Sequence, residues 1–278
     1  MPITRSGEGW CGPARRVDSR PVPGPPKGCT HVARKGIAAV AVPVVLSALL
    51  TAGAAPARSQ VPLQSPIDIT PSAVRLNPHL PQLQISYGHH AAGDLHYVRK
   101  DAEAADGCTA RNHEETEEFE VEPGAGHVTL SGVRYDLVQF HFHTPSEHRF
   151  AGHADPLEMH LVHRSAEGGL LVIGVPLRVG APSTVDKVLE HLAPECGEEV
   201  HLGDIDLNTL LPVNRATARY TGSLTTAPFT EGVQWFLMGE KTVTQATVSH
   251  FQELFYAGNA RPVQPLNGRT VQVELPHL

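Results

Sequence analysis

The chain is poor in aromatics, which make up 5% of its 278 residues. It carries no basic stripe interleaved with aromatic rings, which sets aside nucleic acid as a partner. Between residues 61 and 278 there is no Gly-rich phosphate loop, no internal repeat and no low-complexity linker, so one domain is the expectation there. Cysteine is scarce, at four residues, and two of these, Cys11 and Cys29, fall in the first 57. What is abundant is turn-forming residue, Gly 25 and Pro 24, between short segments rich in Val, Leu and Thr. That balance favours β-structure over helix.

The first 57 residues differ from the rest. They hold seven Lys or Arg against Glu8 and Asp18, a net +5; since the whole chain is at −7, the remainder carries −12. Arg34-Lys35-Gly36 precedes the apolar run 37–57, which ends in small residues. A basic entry, roughly 15 apolar residues and an Ala-rich exit make the pattern of a secretory signal at about 32–57. A membrane anchor is the other reading, opposed by Pro43 and by the short, Ala-rich core. Residues 1–31 are then an extension in front of the signal, with Val32 as an alternative start. The expected protein is exported, periplasmic or secreted, and meets the membrane only through export.

Beyond residue 58 the chain reads as short alternating segments: Phe119–Val121, His127–Leu130 before Ser131-Gly132, Tyr135–His143, Leu157–Arg164 and Leu170–Val179. Such spacing predicts one extensive, largely antiparallel sheet. Two segments have helical period: Thr184–Leu192, capped by Ser183 or Thr184, and about Thr244–Tyr256.

The densest cluster of titratable groups is "QFHFHTPSEH", residues 139–148. Residues two apart on a strand share a face, so His141 and His143 project together with Gln139, while Phe140 and Phe142 turn away. In "EMHLVH", residues 158–163, the same parity groups Glu158, His160 and Val162. If the two strands are neighbours, three imidazoles converge. Three neutral imidazoles with one position left for water form a catalytic zinc site. A ligating imidazole needs its other nitrogen held by an acceptor, and Gln139 and Glu158 lie on the correct faces. For any single histidine of the 17, a hydrogen-bonded core or surface role is the alternative.

Five ordered stretches, "QSPIDI" (64–69), "QFHFHTPSEH", "EMHLVH", "GSLTTAP" (222–228) and "NARPVQPLNGR" (259–269), resemble α-class carbonic anhydrases of the bacterial, secreted type. The resemblance runs from about residue 61 to the C-terminus. It implies a mainly β (α+β) fold: a single domain, 58–278, around a large, mostly antiparallel twisted central sheet with a few short peripheral helices. It implies reversible hydration of carbon dioxide to bicarbonate and a proton by a zinc-bound hydroxide, with Zn2+ as cofactor and a small-molecule substrate as partner. The oligomeric state is left open, a dimer included. His141, His143 and His160 are the implied ligands, with Gln139, Glu158 and the Asn259 carbonyl holding their second nitrogens. Thr225 is the implied gate, donating to buried Glu147, with Thr226 beside it where the family positions bicarbonate. Tyr220 resembles the tyrosine that supports the water network. Val162, Val172, Leu224, Val233 and Trp235 match the carbon dioxide pocket, with plain core packing as the other reading.

Turnover needs a route out for the proton. Counting back from the HxH strand puts the family's shuttle position at Thr116 or Glu117; the nearest histidine is His113, in an acidic run. Either His113 reaches the cavity mouth, or carboxylates and buffer carry the proton.

The chain also departs from the family. The aromatic segment that relatives carry before "QSPIDI" is missing, which implies a more open cavity and lower stability, and Phe229 stands where many secreted relatives have a cysteine. Cys108 and Cys196, which the family fold brings near one rim, are then the expected substitute disulfide, with two free thiols as the alternative. Two other readings remain at this point. His141-x-His143-x3-Glu147 fits the first motif of cupin metalloenzymes, in which Glu147 would be a ligand, although the Pro-x-Gly of their second motif is absent before His160. A non-catalytic scaffold related to the carbonic anhydrases would usually have lost ligand histidines. The signal reading is checked by N-terminal sequencing of the exported protein: the mature terminus is expected at or beyond residue 50, and one upstream of it would overturn the reading.

Overall fold

The turn residues that punctuate the sequence separate fifteen strands and two α-helices in the computed structural model, which describes residues 61–99 and 115–274. These fall within one compact unit, Arg58–Leu278. The N-terminal extension, the signal-like segment, Cys108 and His113 lie outside the described residues.

In chain order the strands are β1 (Asp68–Ile69), β2 (Val74–Leu76), β3 (Leu83–Tyr87), β4 (Ala91–Val98), β5 (Thr116–Val121), β6 (Gly126–Leu130), β7 (Val133–His143), β8 (Arg149–Phe150), β9 (Leu157–Ser165) and β10 (Leu170–Val179). After α1 (Thr184–Leu189) come β11 (Val200–Ile205), β12 (Ala218–Ser223), β13 (Glu231–Leu237), β14 (Lys241–Val243), α2 (Gln245–Leu254) and β15 (Val271–Val273). Thirteen strands join one sheet along the path β11-β4-β5-β7-β9-β10-β13-β12-β15-β2, with β3, β6 and β14 off that path. Its pairings are antiparallel except β10 with β13, β10 with β14, and β15 with β2. A mainly β domain with a large, mostly antiparallel sheet is therefore what the chain forms.

Local chemistry accounts for the joints. Ser131 (φ 50°) and Gly132 (φ 81°) make a two-residue hairpin turn between β6 and β7, the positive-φ geometry that matches strand twist. Ser183 caps α1 through a reciprocal arrangement with Asp186. Asp186 also accepts from the Thr244 N–H (2.8 Å) and the Thr247 hydroxyl (2.6 Å), tying α1 to the start of α2. Both helices end earlier than their periodicity predicts, at Leu189 and Leu254; beyond those ends Leu192 and Phe255 still pack on the core, while Tyr256 is exposed. No helix among the described residues is long and apolar enough to cross a membrane.

One face of the sheet is dry. Phe140 and Phe142 of β7 are fully buried there with Phe119 of β5 and Phe251 of α2; the Phe119 and Phe140 rings stack at 4.8 Å. This layer fixes the direction of β7, so the residues between the phenylalanines must point the other way. Cys196 is disulfide-bonded, and its expected partner Cys108 is outside the described residues.

Counting placed the shuttle position at Thr116 or Glu117, but both are buried. The Thr116 hydroxyl donates to the Phe142 carbonyl, and Glu117 lies on the core side, where Oε2 accepts the Ala193 N–H at 3.1 Å and Oε1 has no partner. Burial drives the Glu117 carboxyl up from its ordinary 4.5 to about 8. Between those values the folded chain keeps a proton there that the unfolded chain has released. The stability from this group is thus complete below about pH 4.5 and declines, by about 1.4 kcal/mol per pH unit, as pH rises towards 8. Glu117→Gln, which cannot ionise, should be more stable than wild type at pH 8 and lose less stability between pH 5 and 8; denaturant titrations with parallel pH dependences would refute this.

Candidate metal centre

The antiparallel register of β7 and β9 sets His141 directly opposite His160 and His143 opposite Glu158. Residues opposite one another share a face. His141, His143 and His160 each offer a ligand atom, and these atoms lie within 4.8 Å of one another. Ring centroids are 5.0 Å apart for His141–His143, 5.2 Å for His141–His160 and 4.7 Å for His143–His160.

Each ring is turned by a hydrogen bond to its other nitrogen. His141 Nδ1–H donates to Gln139 Oε1 (2.9 Å), which directs Nε2 inward. His143 Nδ1–H donates to the Asn259 carbonyl at 3.3 Å, and the Asn259 side chain braces the same segment through the Thr144 N–H and the Glu115 and Phe142 carbonyls. His160 Nε2–H donates to Glu158 Oε1 (2.9 Å), so Nδ1 is its inward atom. Burial lowers the His143 imidazole below its ordinary value and keeps it neutral, the form a metal requires.

Glu158 is fully buried and held from three sides: by His160, by His148 Nδ1–H (2.7 Å) and by the His148 backbone N–H (2.8 Å). Burial alone would raise its carboxyl, but the His148 and His160 rings hold it well below the usual carboxylate range. His148 Nε2 in turn meets the Tyr220 hydroxyl at 2.7 Å, and Tyr220 meets Ser65 Oγ at 2.8 Å. Tyr220 thus sits behind the His148–Glu158 pair, and burial pushes its hydroxyl well above the ordinary value, so it keeps its proton. His148 is thus the central link between Tyr220 and Glu158.

Glu147 is buried beside the triad. Its Oε1 accepts the Arg261 N–H at 2.8 Å, and its Oε2, 3.9 Å from His160 Nδ1, has no hydrogen-bond partner. The expected Thr225–Glu147 hydrogen bond is not formed, because Arg261 holds one oxygen and the other is turned to the triad. Thr225 and Thr226 line a cavity of about 280 Å3 with Asn259, Arg261 and Phe229, so the threonines share a wall with the segment that holds Glu147. The Arg261 guanidinium lies 3.8 Å above the Phe229 ring and donates to the Ser65 carbonyl (2.6 Å). Val162, Val172, Val233 and Trp235 are buried in one apolar cluster with partly buried Leu224 against it, and the Trp235 ring is 4.8 Å from that of His160.

The donor set fits zinc. Three neutral imidazole nitrogens with room for water are a usual ligand set for catalytic zinc, and His143 Nε2 is buried with no hydrogen-bond partner, an arrangement that calls for one. Glu147 stands outside the ligand group, which removes the cupin arrangement. Three contributors escaped the sequence reading: Ser65, Arg261 and Gly174. The first two lie inside quoted motifs, yet act through hydrogen bonds spanning more than 100 residues.

The family model described as eukaryotic-type carbonic anhydrase matches residues 54–275. A carbonic anhydrase of Klebsiella pneumoniae is 40% identical over 147 residues, 52% of this chain and 60% of that protein. Alpha carbonic anhydrase 7 of Arabidopsis thaliana is 33% identical over 222 residues, 77% of this chain and 75% of its own. Among solved structures, the α-carbonic anhydrase of Thermovibrio ammonificans in complex with sulfanilamide aligns with a TM-score of 0.64 at 35% identity, covering 75% of this chain and 86% of that one.

Gly174 of β10 pairs with His160, and a Cβ there would lie 2.6 Å from Leu237 Cδ2 and 3.1 Å from Glu158 Oε1. A methyl group would press on the carboxylate that orients His160. Gly174→Ala should weaken zinc binding about 10- to 100-fold, the range for disturbing such an orienting group, measured by competition with a chromophoric chelator. Unchanged affinity would show that Glu158 tolerates the displacement.

Proposed function

The chain belongs to the eukaryotic-type carbonic anhydrase family, and on that premise we propose that it is a zinc enzyme that reversibly hydrates carbon dioxide to bicarbonate and a proton. One observation carries the proposal: three imidazoles from two adjacent strands, each turned by its own acceptor, converge on a buried nitrogen that has no protein partner.

Hydration needs hydroxide near neutral pH, which bulk water, with a pKa of about 15.7, hardly supplies. Zinc held by three neutral ligands brings the pKa of water to about 7, a figure established on carbonic anhydrase itself. The chain's part is to keep those ligands neutral and rigid. Gln139, the Asn259 carbonyl and Glu158 fix the tautomers of His141, His143 and His160. Tyr220 and Ser65 fix His148 and so hold Glu158 in place.

Carbon dioxide is apolar, and the wall of Val162, Val172, Leu224, Val233 and Trp235 supplies a dry surface beside the histidines. Thr225, in the cavity wall that it shares with the Asn259–Arg261 segment holding Glu147, is assigned the orienting of the attacking water, although its hydroxyl does not bond Glu147 in this structure. Thr226, next in the same cavity wall, receives bicarbonate. The signal-like segment at about 32–57 supports export, so the reaction is assigned to the periplasm or the outside of the cell, with no nucleic acid as partner.

The purified protein should contain one zinc per chain and hydrate carbon dioxide in a stopped-flow assay, inhibited by a sulfonamide and abolished by chelation. His160→Ala should lose both zinc and activity, by on the order of 100-fold or more in rate. One zinc without hydration, or iron in its place, would overturn the proposal.

A further inference from the structure

The row of residues that contains the metal ligands does not stop at them. Across four neighbouring strands, His96 of β4 lies opposite Glu118 of β5, Glu118 opposite His141 of β7, and His141 opposite His160 of β9. All four share the face of the sheet that holds the site, and exposure grows along the row. His160 is 1% exposed, whereas the side chains of Glu118 and His96 are 24% and 25% exposed. The row thus leads from the buried centre to solvent.

Its members are joined by polar groups. Gln139, which accepts from His141 Nδ1–H, donates Nε2–H to Glu118 Oε2 at 2.7 Å, and Glu118 Oε1 faces His96 Nε2 at 3.8 Å. His96 stands two strand spacings from His141, about 10 Å, a gap that a short file of water bridges. The other titratable groups around His96 are Glu120 on β5, Asp94 on its own strand, His201 of β11, which holds Asp94 at 2.8 Å, and Glu199 just before β11.

Resting on the function proposed above, we propose that His96 accepts the proton released by hydration and passes it to buffer. In the first step the attacking water gives up one O–H proton to a cleft water, which passes one of its own to the His96 ring as the N–H bond forms, so the cleft water ends unchanged and the oxygen left behind enters bicarbonate; in the second step that N–H is lost to a buffer base and the ring returns to neutral. No electrons change hands. Imidazole suits the task because its ordinary pKa, about 6.5, lets it gain and lose a proton near neutrality. His96 takes this role in place of Thr116 and Glu117, which are buried, and in competition with His113, which lies outside the described residues.

The test compares zinc-loaded wild type, His96→Ala and His113→Ala, each as the full chain. In dilute buffer, His96→Ala should lower kcat for hydration about tenfold, within reach of a lost proton-transfer group. The loss should fall on kcat and not on kcat/KM, and added imidazole should restore it. A second readout needs no turnover: in competition with a chromophoric chelator, His96→Ala should bind zinc as tightly as wild type, so that the loss lies in proton transfer and not in the metal centre. A kcat unchanged in His96→Ala, or a buffer-dependent loss seen only in His113→Ala, overturns this assignment while leaving hydration intact. So does a zinc affinity in His96→Ala that falls along with kcat. A zinc-loaded wild type without hydration activity overturns the function itself and this inference with it.

Discussion

A slip of one residue between β7 and β9 would set Met159 against His141 and turn His160 into the core, so every feature of the site depends on this register. Two things hold it. Phe140, Phe142, Met159 and Leu161 are fully buried on the dry face and cannot exchange places with imidazoles. The second is an irregularity between Leu137 and Gln139, where Val138 has no partner on β9. Upstream of it Tyr135 and Leu137, odd-numbered residues, are buried in the core; downstream the odd-numbered Gln139, His141 and His143 face the site. The bulge reverses the parity of β7 at the point where the ligands begin, a use of bulges found beside active sites.

Around that register the chain assembles a set of buried polar groups that would be unfavourable singly. A buried carboxylate is tolerated only when its oxygens are satisfied. Glu158 has three donors, and those donors have functions of their own: His160 in the triad, and His148 as the link to Tyr220 and Ser65. The Trp235 ring, 4.7 Å from His148 and 4.8 Å from His160, covers this group and keeps water from it. In so dry a setting each hydrogen bond is stronger and each loss more costly, which makes the network act as one unit. Gly174 belongs to the same unit, because a side chain at that position would intrude on Glu158 and Leu237.

The parts of this arrangement that sequence made legible are those whose physics is local. Alternation in "QFHFH" and "EMHLVH" places three imidazoles and two orienting groups on one face without knowledge of the fold, because the parity was counted only over the last residues of β7. Counted from Tyr135, the same rule would have put the histidines in the core. The hairpin turn at Ser131-Gly132 and the Ser183 cap were legible for the same reason. Positions that depend on how a long connection closes were not. Counting back from the HxH strand put the shuttle position at Thr116 or Glu117, whereas both are buried and the register brings Glu118 and His96 to the open part of that face. The hold of Arg261 on Glu147 joins residues 114 apart in sequence, and no local period announces it.

The site-bearing face is divided at the line where β7 meets β9. One step along the strands from the ligand row, the residues read Asp94, Glu120 and Gln139 on β4, β5 and β7, then Val162, Val172 and Trp235 on β9, β10 and β13. The ligand row is divided at the same place: His96, Glu118 and His141 on one side, His160, Gly174 and Leu237 on the other. Only a centre on that boundary touches both media at once. A neutral, apolar molecule is favoured against the valines and tryptophan, while a proton is favoured among carboxylates and imidazoles that open to solvent. For a reaction that begins with an uncharged gas and ends with an anion and a proton, the division gives reactant and proton different halves of that face. The same strand pairing that brings the three imidazoles together thereby separates the two paths that the proposed chemistry needs.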